Sequence, residues 1–152
     1  MTQTNEREKT MTNREFLDLY VARYNAGDLD GVLDLYAEDA VQNMPDGTFV
    51  GRCAIHERLA LELNAFTDVN HTVRSFVGQG DAFCDEWTFE GTHAAPLPLP
   101  DGHELAPTGR HIEIAGMEYC LMRNGKLIVN TLYYDNVSVL AQLGLVPELA
   151  LA

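Results

Sequence analysis

A chain of 152 residues, 46% hydrophobic and 22% charged, has the size and balance of one soluble globular domain. Its 23 acidic residues against 10 basic ones give a formal charge of −13, which excludes the basic face that nucleic acid or an anionic membrane requires. No stretch approaches the roughly 18 apolar residues of a membrane span.

Residues 1–11 are polar and charged and read as a disordered tail with no apolar secretion signal, so a cytoplasmic location is expected. Thr12-Asn13-Arg14-Glu15 is a capping box, and Phe16, Leu17, Tyr20, Val21 and Tyr24 recur at helical spacing to about Ala26. Gly27 stops that helix and Asp28 caps a second one carrying Leu29, Val32, Leu33 and Tyr36. A short extended piece is expected at Val41 to Met44, then a turn at Pro45-Asp46-Gly47. Ile55, Leu59, Leu63 and Phe66 give a third amphipathic helix.

The period then changes to two. Strands are expected at His71 to Val77, Ala82 to His93, His111 to Arg123 and Lys126 to Tyr134, with a tight hairpin turn at Asn124-Gly125. Residues 94–109 hold four of the six prolines and read as a lid or a dimer contact. Asp135 to Leu143 closes the domain as a short helix, and residues 148–152 form a tail. Three helices followed by four long strands predict an α+β fold over residues 12–147. The expected form is a cone-shaped barrel, a curved and mostly antiparallel sheet wrapped around three helices with an internal pocket. Cys53, Cys84 and Cys120 are odd in number and far apart, and are expected reduced.

Five motifs in this order resemble one family: Trp87-Thr88-Phe89-Glu90-Gly91-Thr92-His93, Pro107-Thr108-Gly109-Arg110, Gly125-Lys126-Leu127, Tyr134-Asp135 and Gln142-Leu143-Gly144. They are similar to the SnoaL-like polyketide cyclases of the nuclear transport factor 2-like superfamily, over about residues 12–147. The resemblance implies a small pocket enzyme for aromatic polyketides, often dimeric, with no metal and no bound organic cofactor. One departure matters. The base of the family's aldol cyclase is an aspartate at the position of Leu132, and a cyclase histidine is matched by Cys120. Leucine cannot take a proton. The resemblance therefore points to the anthracycline hydroxylase branch that includes AclR, with dioxygen as co-substrate and a separate reductase. An aldol cyclase or isomerase using another base, and a ligand-binding domain without catalysis, are the alternatives.

The residues offer candidates for such chemistry. Asp135 is either a helix N-cap or a carboxylate at the cone mouth. Asp85, Trp87, Phe89 and His93 share strand parity, so two aromatics and a histidine suit a flat polycyclic ligand, with His93 as acid or base or else as a satisfied core residue. Asn130 and Tyr134 share a face with Leu132 and are placed to donate to a quinone or phenolate oxygen. Asn43 and Tyr36 are candidates from the helical side. Arg110 reads as a ligand contact or a surface ion pair. His56, His71, His103 and His111 make no metal-binding pattern, so no metal is expected.

Overall fold

The computed structural model describes residues 10–146. Of the expected tails, residues 1–9 of the first and all of 148–152 lie outside the described residues.

Helix α1 (Asn13–Asn25) starts on the capping box, with the Thr12 hydroxyl accepting from the Glu15 amide at 3.1 Å and the Thr12 amide donating to the Glu15 carboxylate at 2.8 Å. Its buried face is Phe16, Leu17, Tyr20 and Tyr24. Gly27, at φ 69°, turns the chain into α2 (Leu29–Leu33), capped by Asp28. Tyr36 is not on that helix. It opens strand β1 (Tyr36–Met44), because the amide of Leu127 donates to the Leu35 carbonyl and draws the chain into the sheet. After β2 (Gly47–Val50), α3 (Arg52–Ala65) buries Ile55 and Leu59.

Strand β3 (Phe66–Gln79) begins directly after α3, five residues before the expected His71. The register shifts between Thr67 and Asn70, and Asp68 sits at φ 54°. That bulge breaks the alternation and hides the strand start. The strands β4 (Ala82–His93), β7 (His111–Arg123) and β8 (Lys126–Tyr134) have the expected ranges. Between β4 and β7, the proline-rich segment forms a two-rung hairpin of β5 (Leu97–Pro98) and β6 (Glu104–Leu105). Helix α4 (Asn136–Gln142) follows β8.

The six main strands form one sheet in the order β2-β1-β8-β7-β4-β3, antiparallel except for β1 beside β8. The α+β architecture with a curved, mostly antiparallel sheet and, among the described residues, three helices plus the short closing helix is as expected, but the sheet is not closed into a barrel. Helix α3 lies against β1, β2 and β3, between the two sheet edges, and does the work of closure.

Strand β4 turns Phe83, Asp85, Trp87, Phe89 and His93 inward, all buried. Trp87 pairs with Gly116 on β7. A Cβ there would lie 2.5 Å from the indole and 2.8 Å from the Tyr133 carbonyl oxygen. Gly116→Ala is therefore expected to lower stability by about 1–3 kcal/mol by overpacking. It should also change the emission of the chain's single tryptophan. Urea unfolding read by fluorescence checks this, and an unchanged midpoint and spectrum would refute it.

Candidate active site

A cavity of about 280 Å3 lies between the helices and the sheet. Trp87, Phe89, Ile112, Ile114 and Leu132 form its sheet wall, and Tyr20, Tyr24 and Leu59 form its helical wall. The proline-rich segment closes one side with Leu97 to Pro100, and α4 contributes Val139, Leu140 and Leu143. The lining is mostly apolar and aromatic, with polar groups gathered at two places, the usual form of a small-molecule site.

The first polar group is at the inner end. Glu118 of β7 lines the cavity and pairs across the strands with Asp85 of β4 and with Leu132 of β8. His71 of β3 joins them. One ligand atom from each of His71, Asp85 and Glu118 lies within 4.8 Å of the others, and all three residues are buried. Burial and the neighbouring Glu118 push the Asp85 carboxyl up to about 9. Burial also raises Glu118, against hydrogen bonds that favour its charged form. Burial lowers His71 to about 4, so its imidazole is neutral at pH 7. Two carboxyls this close cannot both ionise, so the pair is satisfied by sharing one proton. The trio is also a donor set with which a divalent cation is compatible, one imidazole and two carboxylates.

Behind Glu118 lies a buried hydrogen-bond network. The Asn130 amide nitrogen donates to Glu118 Oε2 at 2.5 Å and to Cys120 Sγ at 3.4 Å. Its carbonyl accepts from Gln42 Nε2 at 3.0 Å and from the Tyr36 hydroxyl at 3.3 Å. Tyr36 meets the Tyr20 hydroxyl at 3.1 Å. The second polar group is at the rim. There Arg58 bonds Asp46 at 3.0 Å and Glu62 at 3.3 Å, and the Tyr24 hydroxyl donates to Glu62 at 2.5 Å. Tyr134 lines the cavity beside Trp87, 6.0 Å between ring centroids, and burial raises its phenol to about 12.

The expected site residues fall into three groups. Trp87, Phe89 and Tyr134 line the cavity. Asn130 and Tyr36 are buried behind its inner end, where they hold Glu118 rather than face the open space. Asp135, His93, Asn43 and Arg110 lie outside the lining. Asp135 is exposed and caps α4, its carboxylate accepting from the Ser138 amide at 3.1 Å. His93 is fully buried, and its Nδ1 accepts from the Thr108 amide at 3.2 Å, pinning the end of the proline-rich segment to β4. Asn43 binds the Thr131 and Thr48 side chains. Arg110 is exposed and reaches the Gln142 carbonyl at 3.4 Å.

Comparison with known proteins agrees with this architecture. A family model described as SnoaL-like polyketide cyclase matches residues 14–143. Among solved structures, AclR of Streptomyces galilaeus, proposed as a hydroxylase, is 23% identical and superposes with a TM-score of 0.75, covering 88% of this chain and 96% of its own. IdmH of Streptomyces antibioticus, proposed as a polyketide cyclase, is 27% identical with a TM-score of 0.70, covering 86% and 97%. TsrD of Streptomyces laurentii is 18% identical with a TM-score of 0.74, covering 88% and 95%.

Proposed function

The chain belongs to the SnoaL-like polyketide cyclase family, and from that premise we propose a tailoring enzyme of aromatic polyketide biosynthesis in which Glu118 removes a proton from a flat, uncharged substrate. The observation that carries this reading is the buried Glu118–Asp85 pair at the inner end of an aromatic cavity. Leu132 leaves the last strand without a base, but the directly opposed position on β7 supplies one. A buried carboxylate with a raised pKa is a stronger base than one in water, and the dry walls around it keep the resulting anion from bulk solvent.

A polyketide C–H between two carbonyls is acidic enough for such a base, and its loss gives an enolate. Attack of that enolate on a carbonyl of the same molecule closes a ring. Attack on dioxygen gives a hydroperoxide, whose reduction to a hydroxyl and water takes two electrons from a separate reductase. The first fate is the cyclase reading and the second is the hydroxylase reading; AclR, proposed as a hydroxylase, and IdmH, proposed as a cyclase, share this fold. An anaerobic assay with labelled dioxygen in the aerobic control separates them. Ring closure proceeds unchanged without oxygen and shows no mass gain. Hydroxylation stops without oxygen and incorporates the label.

The charge of the lining argues for an uncharged ligand. Arg58 is the cavity's basic side chain, and both its neighbours are carboxylates. Among the described lining residues no cation is left to receive an anionic substrate, and Glu118 would repel it. A tricyclic aromatic methyl ester should quench Trp87 fluorescence, and the matching free acid should bind at least about tenfold more weakly at neutral pH. Equal affinities would contradict this assignment. Turnover should also survive a chelator, since a shared proton satisfies the carboxyl pair. Loss on chelation with recovery on adding a divalent cation would convert the trio into a metal site.

A cytoplasmic homodimer completes the proposal. No described helix is long and apolar enough to cross a membrane. Met117, Tyr119 and Tyr133 stand exposed together on the outer face of β7 and β8, a surface suited to a second copy. Light scattering should give twice the chain mass, and a monomer at micromolar concentration would refute it.

A further inference from the structure

We infer that Asn130 is a positioning residue that makes Glu118 the proton acceptor of the carboxyl pair and Asp85 the holder of its proton. The inference rests on the proton-transfer reading of the cavity, and deepens it. Two neighbouring carboxyls that share one proton have two arrangements, and only one leaves a base facing the cavity. Glu118 lines the cavity and Asp85 does not. A proton held on Glu118 would leave the pair's charge behind the wall, away from any ligand.

The amide of Asn130 breaks the symmetry. Its oxygen receives two donors, Gln42 Nε2 and the Tyr36 hydroxyl. Its nitrogen therefore faces Glu118, and the bond at 2.5 Å requires Oε2 to accept. A carboxylate that accepts from an amide on one side is held in its charged form. Asp85 has no such donor among the described residues. Neither of its oxygens meets an N–H or hydroxyl group of them, and the carboxyl of Glu118 is the partner across the strands. Its proton is satisfied only by donation to Glu118.

The other titratable groups facing the pair do not reverse this order. Tyr20 from α1 and Tyr36 from β1 are held protonated by burial, as is the Cys120 thiol of β7. His71 from β3 is kept neutral by burial. Arg14 of α1 favours a charged Asp85, but it is exposed and paired with Asp18 at 2.9 Å, so its pull is weak.

Infrared spectra of the full-length protein at neutral pH, with side-chain carboxyls labelled with carbon-13 in aspartate or separately in glutamate, locate the proton without any substrate. The protonated-acid carbonyl band should shift with the aspartate label alone and disappear in Asp85→Asn. In Asn130→Leu the same band should become sensitive to the glutamate label. A wild-type band that shifts with the glutamate label, or no protonated-acid band at all, overturns the assignment. An Asn130→Leu spectrum identical to wild type overturns the role of Asn130. If that variant does not fold, the two wild-type labels still decide where the proton sits, and a failure here leaves the turnover test of Glu118 standing on its own.

Discussion

Glu118→Gln is expected to lower turnover by about 10²–10⁴-fold, the usual contribution of a positioned acid or base, while the protein stays folded. The amide has the volume of the acid it replaces. Its oxygen can still accept from Asn130, and its nitrogen can donate to Asp85, so the network behind the cavity keeps its partners. Removing one member of a buried acid pair also removes a desolvation cost, and stability should be unchanged or higher. The outcome to look for is therefore loss of activity with an unchanged or raised melting temperature. A variant that keeps wild-type turnover would exclude Glu118 as the base. Asp135→Asn is the useful contrast. It weakens a helix cap by about 1 kcal/mol, and should leave the chemistry alone because Asp135 lies outside the cavity lining.

The pH dependence of stability is the second large effect. Asp85 holds its proton up to about pH 9 in the fold, against 3.8 for an unperturbed carboxyl. Between those values the folded protein binds more protons than the unfolded chain, so this group's contribution is full below pH 3.8 and is lost as pH rises towards 9. Raised Glu118 acts in the same direction. His71 has the opposite sign. Its folded value of about 4 lies below the ordinary 6.5 of an imidazole, so its contribution is present above pH 6.5 and is lost as pH falls towards 4. The acid and the histidine offset each other between about pH 4 and 6.5. Above 6.5 the histidine no longer offsets the acid pair, and stability should fall by up to about 1.4 kcal/mol per pH unit towards pH 9. Denaturant unfolding at a series of pH values checks this. Asp85→Asn should flatten the alkaline slope, and a wild-type protein that is equally stable at pH 6.5 and 9 would contradict the buried-acid assignment.

The sequence carried the strands whose ends are marked by turns. Strands β4, β7 and β8 could be bounded to the residue because turn residues flank them, buried and more exposed positions alternate along most of β4 and β7, and a tight Asn-Gly turn joins the last two. Strands β1 and β3 could not. Each is interrupted by a register shift, and β1 makes the sheet's single parallel pairing, which no local pattern announces.

The site was partly legible for the same reason. The aromatic parity of β4 and β8 brought out Trp87, Phe89 and Tyr134. Asp85 shares that same face of β4, while Glu118 lies on β7, which carries its own signal. Ile112, Ile114, Gly116, Glu118 and Cys120 alternate with outward residues, and a charged side chain in an inward row is the anomaly that marks a site. What the sequence does not contain is the cross-strand register that sets Asp85 opposite Glu118, because 17 residues, 94–110, with only a two-rung hairpin among them, separate β4 from β7. His71 was lost behind the bulge in β3. Asp135 and His93 attracted notice because their side chains can do chemistry, but the fold uses one as a cap and the other to anchor a loop.

Proton abstraction by Glu118 is the central step, and solvent isotope exchange measures it before cyclisation and hydroxylation diverge. An uncharged aromatic polyketide with an acidic C–H between two carbonyls is incubated with the protein in deuterated buffer under anaerobic conditions, and the C–H signal is followed by NMR. The wild-type protein should accelerate deuterium incorporation well beyond the buffer rate, and Glu118→Gln should return it to that rate while still binding the ligand by Trp87 quenching. Exchange that is equally fast in Glu118→Gln, or bound ligand with no accelerated exchange in the wild type, would contradict it.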